Sequence, residues 1–323
     1  FIHKTDNLLT LKSFSNPIGG INNYWSNGGS LKNTGFEFGI NGKPLFSKNW
    51  QLEVGATIGH YKNEVAKLPD GSFTTSVYGD NNILTQVGSP VGVFYGYKTA
   101  GVFSTDAEAQ AAGNGGYLYF NDAAANKQYF KAGDVHFIDQ NGDGAIDEAD
   151  KVVVGDPNPD IYGNIYAMLK WKRFTLNVGL NYSLGNDVFN YQRSVLNSGA
   201  SFYNQQIAEV GHWHYEGQAA NLPRLSYGDV MGNNRFSDRW IEDGSYLRLK
   251  TLHLSYQIPI PESWTSWLQG ISIWGEAQNL VTLTKYKGSD PEFSIGNGVF
   301  YQGIDCGNLP QSRGFSVGVK INL

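Results

Sequence analysis

Charge is the first thing this sequence has little of. Asp, Glu, Lys and Arg make up 16% of its 323 residues, against about 25% in ordinary soluble domains. It has one cysteine, Cys306, which excludes an internal disulfide framework. No window holds eighteen consecutive apolar residues, which excludes a transmembrane helix. The weaker alternation of a membrane barrel is untouched by that absence. A basic excess is missing too: a net charge of -5 and a pI near 5.7 argue against a nucleic-acid partner. There is no G-x-S-x-G elbow, no P-loop and no H-E-x-x-H pair, so nothing points to an enzyme. The chain starts at Phe1 with neither Met nor a signal-peptide pattern, and we expect it to be the later part of a larger protein.

What is present is aromatic and small. Aromatics reach 14% and there are 40 glycines, yet the mean hydropathy is -0.35. Low charge, many aromatics and no long apolar run describe strands that are apolar on one face only. A chain of this length is two ordinary domains or one large all-β unit.

The sharpest chemical pattern is Asp139-Gln-Asn-Gly-Asp-Gly-Ala-Ile-Asp-Glu-Ala-Asp150, a twelve-residue calcium loop. A hard cation wants six to eight oxygens on a small sphere. Alternate residues of a tight loop aim Asp139, Asn141 and Asp143 inward, and Ala145 offers its carbonyl. Gly144 stands where the chain must turn sharply. Asp147 occupies the position that often binds through water, and Asp150 closes the loop with a shorter arm than the usual Glu. The competing reading is an Asx-rich turn with no metal. With few apolar residues expected around it, a structural Ca²⁺ would rigidify the long insertion in which it lies.

Periodicity then organises the chain. Residues 1–9 read as the tail of a strand, and 10–33, rich in Asn, Gly and Ser, as a loop. Phe36, Phe38 and Ile40 share one face, and a turn is expected over 41–49. Trp50, Leu52, Val54, Ala56 and Ile58 alternate with polar or small residues. An irregular stretch of nearly a hundred residues, 62–160, contains a possible small hairpin near 91–97 and the calcium loop; so long an insertion is expected to carry function. Strands follow at 162–171 and 173–185, with Phe174, Leu176, Val178, Leu180 and Tyr182 on one face and Thr175, Asn177 and Asn181 on the other. A short helix is expected within 187–196. Leu247 and Leu249 are out of phase with Leu252, Leu254 and Tyr256, which a bulge near Lys250-Thr251 repairs. Further strands lie at 271–280, extendable to 286, and at the C-terminal end.

The count is about eight long strands joined alternately by short and long connections. That asymmetry marks a transmembrane antiparallel β-barrel with short periplasmic turns and long extracellular loops. Parity puts 62–160, 186–243 and 283–311 outside the cell.

Several phrases resemble one family. Gly133-Asp-Val-His-Phe-Ile-Asp-Gln-Asn-Gly-Asp-Gly144, Val154-Gly-Asp-Pro-Asn-Pro-Asp160, Ser237-Asp-Arg-Trp-Ile-Glu-Asp-Gly-Ser-Tyr-Leu-Arg-Leu-Lys250 and Gln278-Asn-Leu280 with Asp290-Pro-Glu292 are similar to the SusC/RagA class of TonB-dependent outer-membrane transporters. The resemblance covers nearly the whole chain. It implies the C-terminal part of a 22-stranded, plugged barrel, with residues 1–323 lacking the plug domain and TonB box. It further implies import of oligosaccharides or peptides, energy from the TonB complex, a SusD-like lipoprotein lid, and strands set in outer-membrane lipid. A final Leu323 departs from the aromatic that often ends such proteins.

A soluble calcium-dependent adhesion or docking module is the alternative reading; dockerins carry a similar metal loop, though twice and on helices. For substrate, Tyr203, Trp213 and Tyr215, with Phe202, could stack on a sugar face or close the loop on itself. His212 and His214 could share a metal. Arg239, Arg248 and Lys250 are expected to line the lumen or to pair with acids of neighbouring strands.

Overall fold

The structure is a computed structural model. It describes all residues except 19–20, 70, 79, 114–115, 265–266, 294–295 and 297, and describes backbone alone at 9–18, 21–26, 80 and 81. Eight strands form one antiparallel sheet in sequence order: β1 Ile2–Ile18, β2 Ile21–Phe46, β3 Trp50–Lys67, β4 Ile161–Trp171, β5 Phe174–Leu184, β6 Tyr246–Ile258, β7 Gly270–Thr284 and β8 Gly314–Asn322. β1 and β8 are its two edges.

Register explains why the alternation in sequence becomes two faces. Residues directly opposite in an antiparallel pair project to the same side. Val178 faces Ala167 and Leu252, and Ala167 faces Val54. Leu176 likewise continues through Leu169 to Leu52 and through Leu254. The next row inward in sequence is polar: Asn177 with Met168 and His253, then Glu53 on β3 and Glu276 on β7. One face is therefore an apolar belt and the other a polar wall.

At the short-turn end the belt closes in a line of rings. Trp50 lies 5.5 Å from Trp171, Trp171 5.8 Å from Phe174, and Phe174 4.6 Å from Tyr256. Aromatics at this level mark a membrane–water boundary. From Phe174 to Tyr182, eight steps of about 3.4 Å tilted by about 40° rise roughly 21 Å, close to the apolar band of an outer-membrane barrel. Val178 sits midway.

Glycine on the polar wall makes room for rings. A Cβ on Gly55 would come 2.2 Å from the Tyr166 ring, and one on Gly59 2.6 Å from that of Tyr162. Both tyrosines lie flat across β3 because nothing projects there.

The expected bulge is present. Gly179 of β5 pairs with Thr251 and Leu180 with Leu249, so Lys250 is the extra residue of β6. On the other side Leu249 pairs with Val281 and Thr251 with Gln278, so Lys250 opposes two residues of β7, Asn279 and Leu280. Asn279 takes the left-handed conformation, φ 53°, that such a bulge requires.

Three expectations change. Residues 10–33 are not a loop: β1 and β2 continue through them, with Leu9 paired to Asn27 and Ser13 to Asn23, while residues 19 and 20 lie outside the described set. Ladder bonds belong to the backbone, and Asn, Gly and Ser only weaken them. The turn expected at 41–49 shrinks to 47–49, since β2 runs to Phe46. The segment near 91–97 is not a hairpin of its own. Val93–Gly96 is an inner strand of a four-stranded sheet, flanked by Asp80–Thr85 and Val152–Gly155.

After β2 the short connections are 47–49, 172–173 and 259–269; the long ones, 68–160, 185–245 and 285–313, leave the opposite end. The long loops are folded. Phe103, Phe130, Val135, Phe137 and Ile146 of the first pack with Met231 of the second. A second core joins all three loops: Phe94, then Phe189, Phe236 and Trp240, then Ile304. The expectation that the first loop has few apolar residues to hold it is therefore wrong; its aromatics are dispersed in sequence and carry no periodicity. The short helices are α1, Asp106–Ala112, and α2, Tyr191–Leu196, the latter at the end of the stretch where a helix was expected.

Candidate functional site between the loops

The three loops enclose a cleft of about 1400 Å³. Its walls come from 100–112 and His136 of the first loop, α2 and 206–222 of the second, and 287–289 of the third. The polar wall of the strands lies below it.

One carboxylate ties two of the walls together. Glu242 accepts a hydrogen bond from Arg193 Nη1 of α2 at 2.8 Å and from the backbone N–H of Lys287 at 2.9 Å. Its side chain is only 7% exposed, so these charge-assisted bonds are made away from water and count for more than a surface pair. Arg193 Nη1 also donates to the Arg239 carbonyl at 3.0 Å. On the opposite wall Glu108 accepts from the Ser104 hydroxyl and N–H, both at 2.7 Å, and those bonds hold its carboxyl below the usual range. Above it the His136 ring stacks on Phe103 at 4.3 Å, and burial lowers its pKa, opposed by the nearby Glu108 charge.

Between these charges the lining mixes carboxamides and small residues with Val102, Phe103, Leu196 and Leu222. Asn190, Gln192, Asn197, Gln206 and Asn221 line the cleft together with alanines and glycines, and among the described residues no Tyr or Trp does. Carboxamides both donate and accept, which suits a ligand carrying alternating N–H and C=O groups or hydroxyls. Glu242 and these carboxamides were not singled out from sequence; single Asn and Gln residues scattered through loops carry no spacing signal.

The candidates from sequence are placed as follows. Trp213 is packed inward: its Nε1–H donates to the Ser104 carbonyl at 3.3 Å and its ring covers Gly133. Tyr203 and Tyr215 are 85% and 67% exposed and line no part of the cleft. Phe202 stacks on Tyr227 at 4.8 Å, outside the cleft. The His212 and His214 rings lie 3.9 Å apart, but His212 Nδ1 is 2.6 Å from the Glu209 carbonyl oxygen. Arg239 does not line the lumen: it sits in the loops over Trp240, donates to the Asn233 carbonyl, and burial, with Arg193 adding repulsion, brings its pKa down to about 10. Arg248 and Lys250 do lie on the polar wall, yet their acids are Asp290 and Glu292 of the third loop and not residues of neighbouring strands.

In the loop 139–150 the side chains turn to backbone amides. Asp139 accepts from Gly142 and Gly144 at 2.7 Å each, Asn141 from Asp143 at 2.9 Å, Asp143 from Ala145 at 2.8 Å, and Asp147 from Ala149 at 2.8 Å. Asp150 is fully buried and accepts from Gln140 and Asp147 at 2.8 Å each. Among the described residues no three His, Cys, Asp or Glu side chains form a ready metal cage. Ile146, next to Ala145, anchors the loop in the first aromatic core.

Apolar belt, polar wall, aromatic boundary and alternating short and long connections define a segment of an outer-membrane β-barrel. No protein-family model matches the chain. A TonB-dependent receptor of Formosa agariphila is 30% identical over 335 residues, covering 99% of this chain and 31% of the relative. The TonB-dependent receptor SusC of Bacteroides thetaiotaomicron is 28% identical over 334 residues, covering 100% and 29%. Among solved structures, the RagAB peptide transporter superposes with a TM-score of 0.75 at 21% identity, covering 99% of this chain and 32% of that one. The RagAB importer in its open-open state gives 0.69. Over its whole length the chain is homologous to SusC/RagA-type TonB-dependent receptors, which are outer-membrane β-barrels and not enzymes, and it spans about a third of the length of the relatives it matches. That homology leaves the soluble adhesion module without support.

Proposed function

We propose that this chain supplies part of the barrel wall and the outer vestibule of a TonB-dependent importer of oligosaccharides or peptides. A SusD-like surface lipoprotein would close over the loops, and the TonB complex would act through parts of the receptor outside this chain. The observation that carries the reading is the cleft of about 1400 Å³ built by all three loops above the polar wall. Its volume suits a short oligomer rather than a single small molecule, for which about 300–1,000 Å³ is usual. Between the two substrate classes, the carboxamide lining favours a peptide. Sugar rings are commonly held on aromatic faces, and the exposed Tyr203 and Tyr215 stand elsewhere. The test is uptake by the complete receptor with Gln206→Ala and Asn221→Ala together. We expect uptake of labelled oligopeptides to fall about tenfold, as for losing two hydrogen bonds, with assembly unchanged. Normal peptide uptake, with loss of oligosaccharide uptake instead, would reverse the assignment; no change in either would remove the cleft from the pathway.

We further propose that loop 139–150 holds one structural Ca²⁺ through Asp139, Asn141, Asp143, the Ala145 carbonyl, Asp147 and Asp150. A carboxylate oxygen that accepts one N–H keeps a second lone pair for a cation. Four aspartates in twelve residues repel one another without one, and outside the cell even a site of about 10⁻⁴–10⁻³ M stays largely filled. Such a cation would stiffen the loop against its aromatic core. If the loop is cleaved equally fast with and without EDTA, the metal is absent; Asp139→Ala with Asp143→Ala should abolish any protection by calcium.

A further inference from the structure

The floor of the cleft is thin at one place. Ser289 lines the outer cleft and also a second cavity of about 400 Å³ on the polar wall, bounded by Arg248, Asn279, Thr282 and Arg313. The segment 287–292 borders both cavities, the first through Lys287, Gly288 and Ser289 and the second through Ser289, Asp290 and Pro291.

That segment is fastened at both ends. Upstream, the Lys287 N–H is held by Glu242, and the Tyr286 hydroxyl donates to Asp305 at 2.5 Å. Downstream, Asp290 and Glu292 both clasp Arg248, a β6 side chain only 2% exposed. Asp290 also accepts from the N–H groups of Glu292 and Gln311 at 2.9 Å, and Lys250 reaches Glu292 at 3.4 Å and Gln311 at 2.8 Å. Asn279 Nδ2 adds a bond to the Ser312 carbonyl at 3.0 Å. Lys250 and Asn279 are the residues of the β6–β7 bulge. From this bulge Lys250 reaches the segment at Glu292, while Asn279 holds the returning strand of the third loop at Ser312.

We propose that 287–292 is a gate between the outer cleft and the luminal pocket, and that Arg248 with Asp290 and Glu292 is its latch. Cargo in the cleft would pass to the lumen when the latch opens and Gly288-Ser289 lift away. The two cavities then become one passage, while the fastening at Glu242 and Asp305 keeps the segment tethered as a hinge. The direction of cargo rests on the reading of the cleft given above; the gate itself does not.

The experiment measures access and not transport. Thr282→Cys, paired with Arg248 across the ladder on the luminal side, is placed in the complete receptor. Its reaction with a membrane-impermeant maleimide is timed on intact cells, against the receptor without this cysteine. Asp290→Asn with Glu292→Gln should speed labelling about tenfold by raising the open population, while Thr175→Cys, on the same wall near the opposite end, keeps its rate. Equal rates with and without the latch carboxylates overturn the gate. So does equal acceleration at Thr282 and Thr175, which would mean general loosening. Removing both acids leaves Arg248 buried without a carboxylate; should that receptor fail to assemble, Glu292→Gln alone, which keeps Asp290 on Arg248, is decisive. It should speed labelling about threefold, and an unchanged rate overturns the gate. Since no substrate is needed, a failed gate here and a failed cleft in the uptake assay are separate results.

Discussion

The strand wall and the loop assembly use the same apolar residues against different solvents. On the wall, Val54, Ile165, Phe174 and Leu254 are all more than a third exposed, because the medium they face is hydrocarbon. In the loops, Phe94, Phe130 and Phe137 are fully buried, because the medium outside is water. Order in the wall comes from a ladder that satisfies every backbone group across neighbours. Order in the loops comes from two ordinary hydrophobic cores and from ion pairs such as that of Arg224 with the fully buried Asp134. Perturbations should therefore separate the two regions.

The largest effect is on the wall. Expressed without the rest of the barrel, the chain leaves β1 and β8 as long open edges, which template aggregation. It should be recovered as inclusion bodies, and a monodisperse monomer that melts cooperatively without detergent would contradict the barrel. Within the complete receptor, Phe137→Ala should cost the loop assembly about 3–5 kcal/mol. The loops should become protease-sensitive while the barrel keeps its heat-modifiable mobility on a gel. Loss of both together would show that the regions are one cooperative unit. Smaller still is the contrast across one strand: Val178→Arg, at mid-membrane, should cost about 2–4 kcal/mol, and Asn177→Arg far less. Equal costs by denaturant titration would defeat the two-face assignment.

The wall was legible in the sequence because a period of two survives any context. Phe174 through Tyr182 could be assigned a face, and the slip at Lys250 a bulge, from the order of residues alone. What failed was composition: Asn, Gly and Ser between 10 and 33 look like a loop, yet the ladder they join is made of backbone. The loops were the converse. Phe103, Phe130, Phe137 and Met231 meet only after the chain has folded back over itself, so no window shows their core. The cleft was illegible for the same reason. Conspicuous aromatics drew attention to Tyr203 and Tyr215, whereas the lining is scattered Asn and Gln, and Glu242 gives no sign in sequence that it joins α2 to Lys287.

The smallest effect is electrostatic and confined to the loops. Burial holds the folded His136 below its ordinary value of 6.5, so the unfolded chain takes up the proton first. The contribution of the neutral ring is complete above pH 6.5 and is lost progressively as the pH falls below it. Proteolysis of the first loop should accelerate between pH 7.5 and pH 5.5, and less so in His136→Asn, without change in the barrel; a flat profile would remove His136 from the loop's stability.

The central claim is that the two regions lie on a common axis, with the cleft outside the cell and the short turns inside. Cysteines at Ala220, in the cleft wall, and at Lys48, in the first short turn, each introduced after Cys306→Ser has removed the native thiol, test it directly in the complete receptor. Labelled with an impermeant maleimide, the cysteine at Ala220→Cys should react on intact cells and that at Lys48→Cys only after lysis. Labelling of Lys48→Cys on intact cells, with Ala220→Cys protected, would turn the whole assignment over.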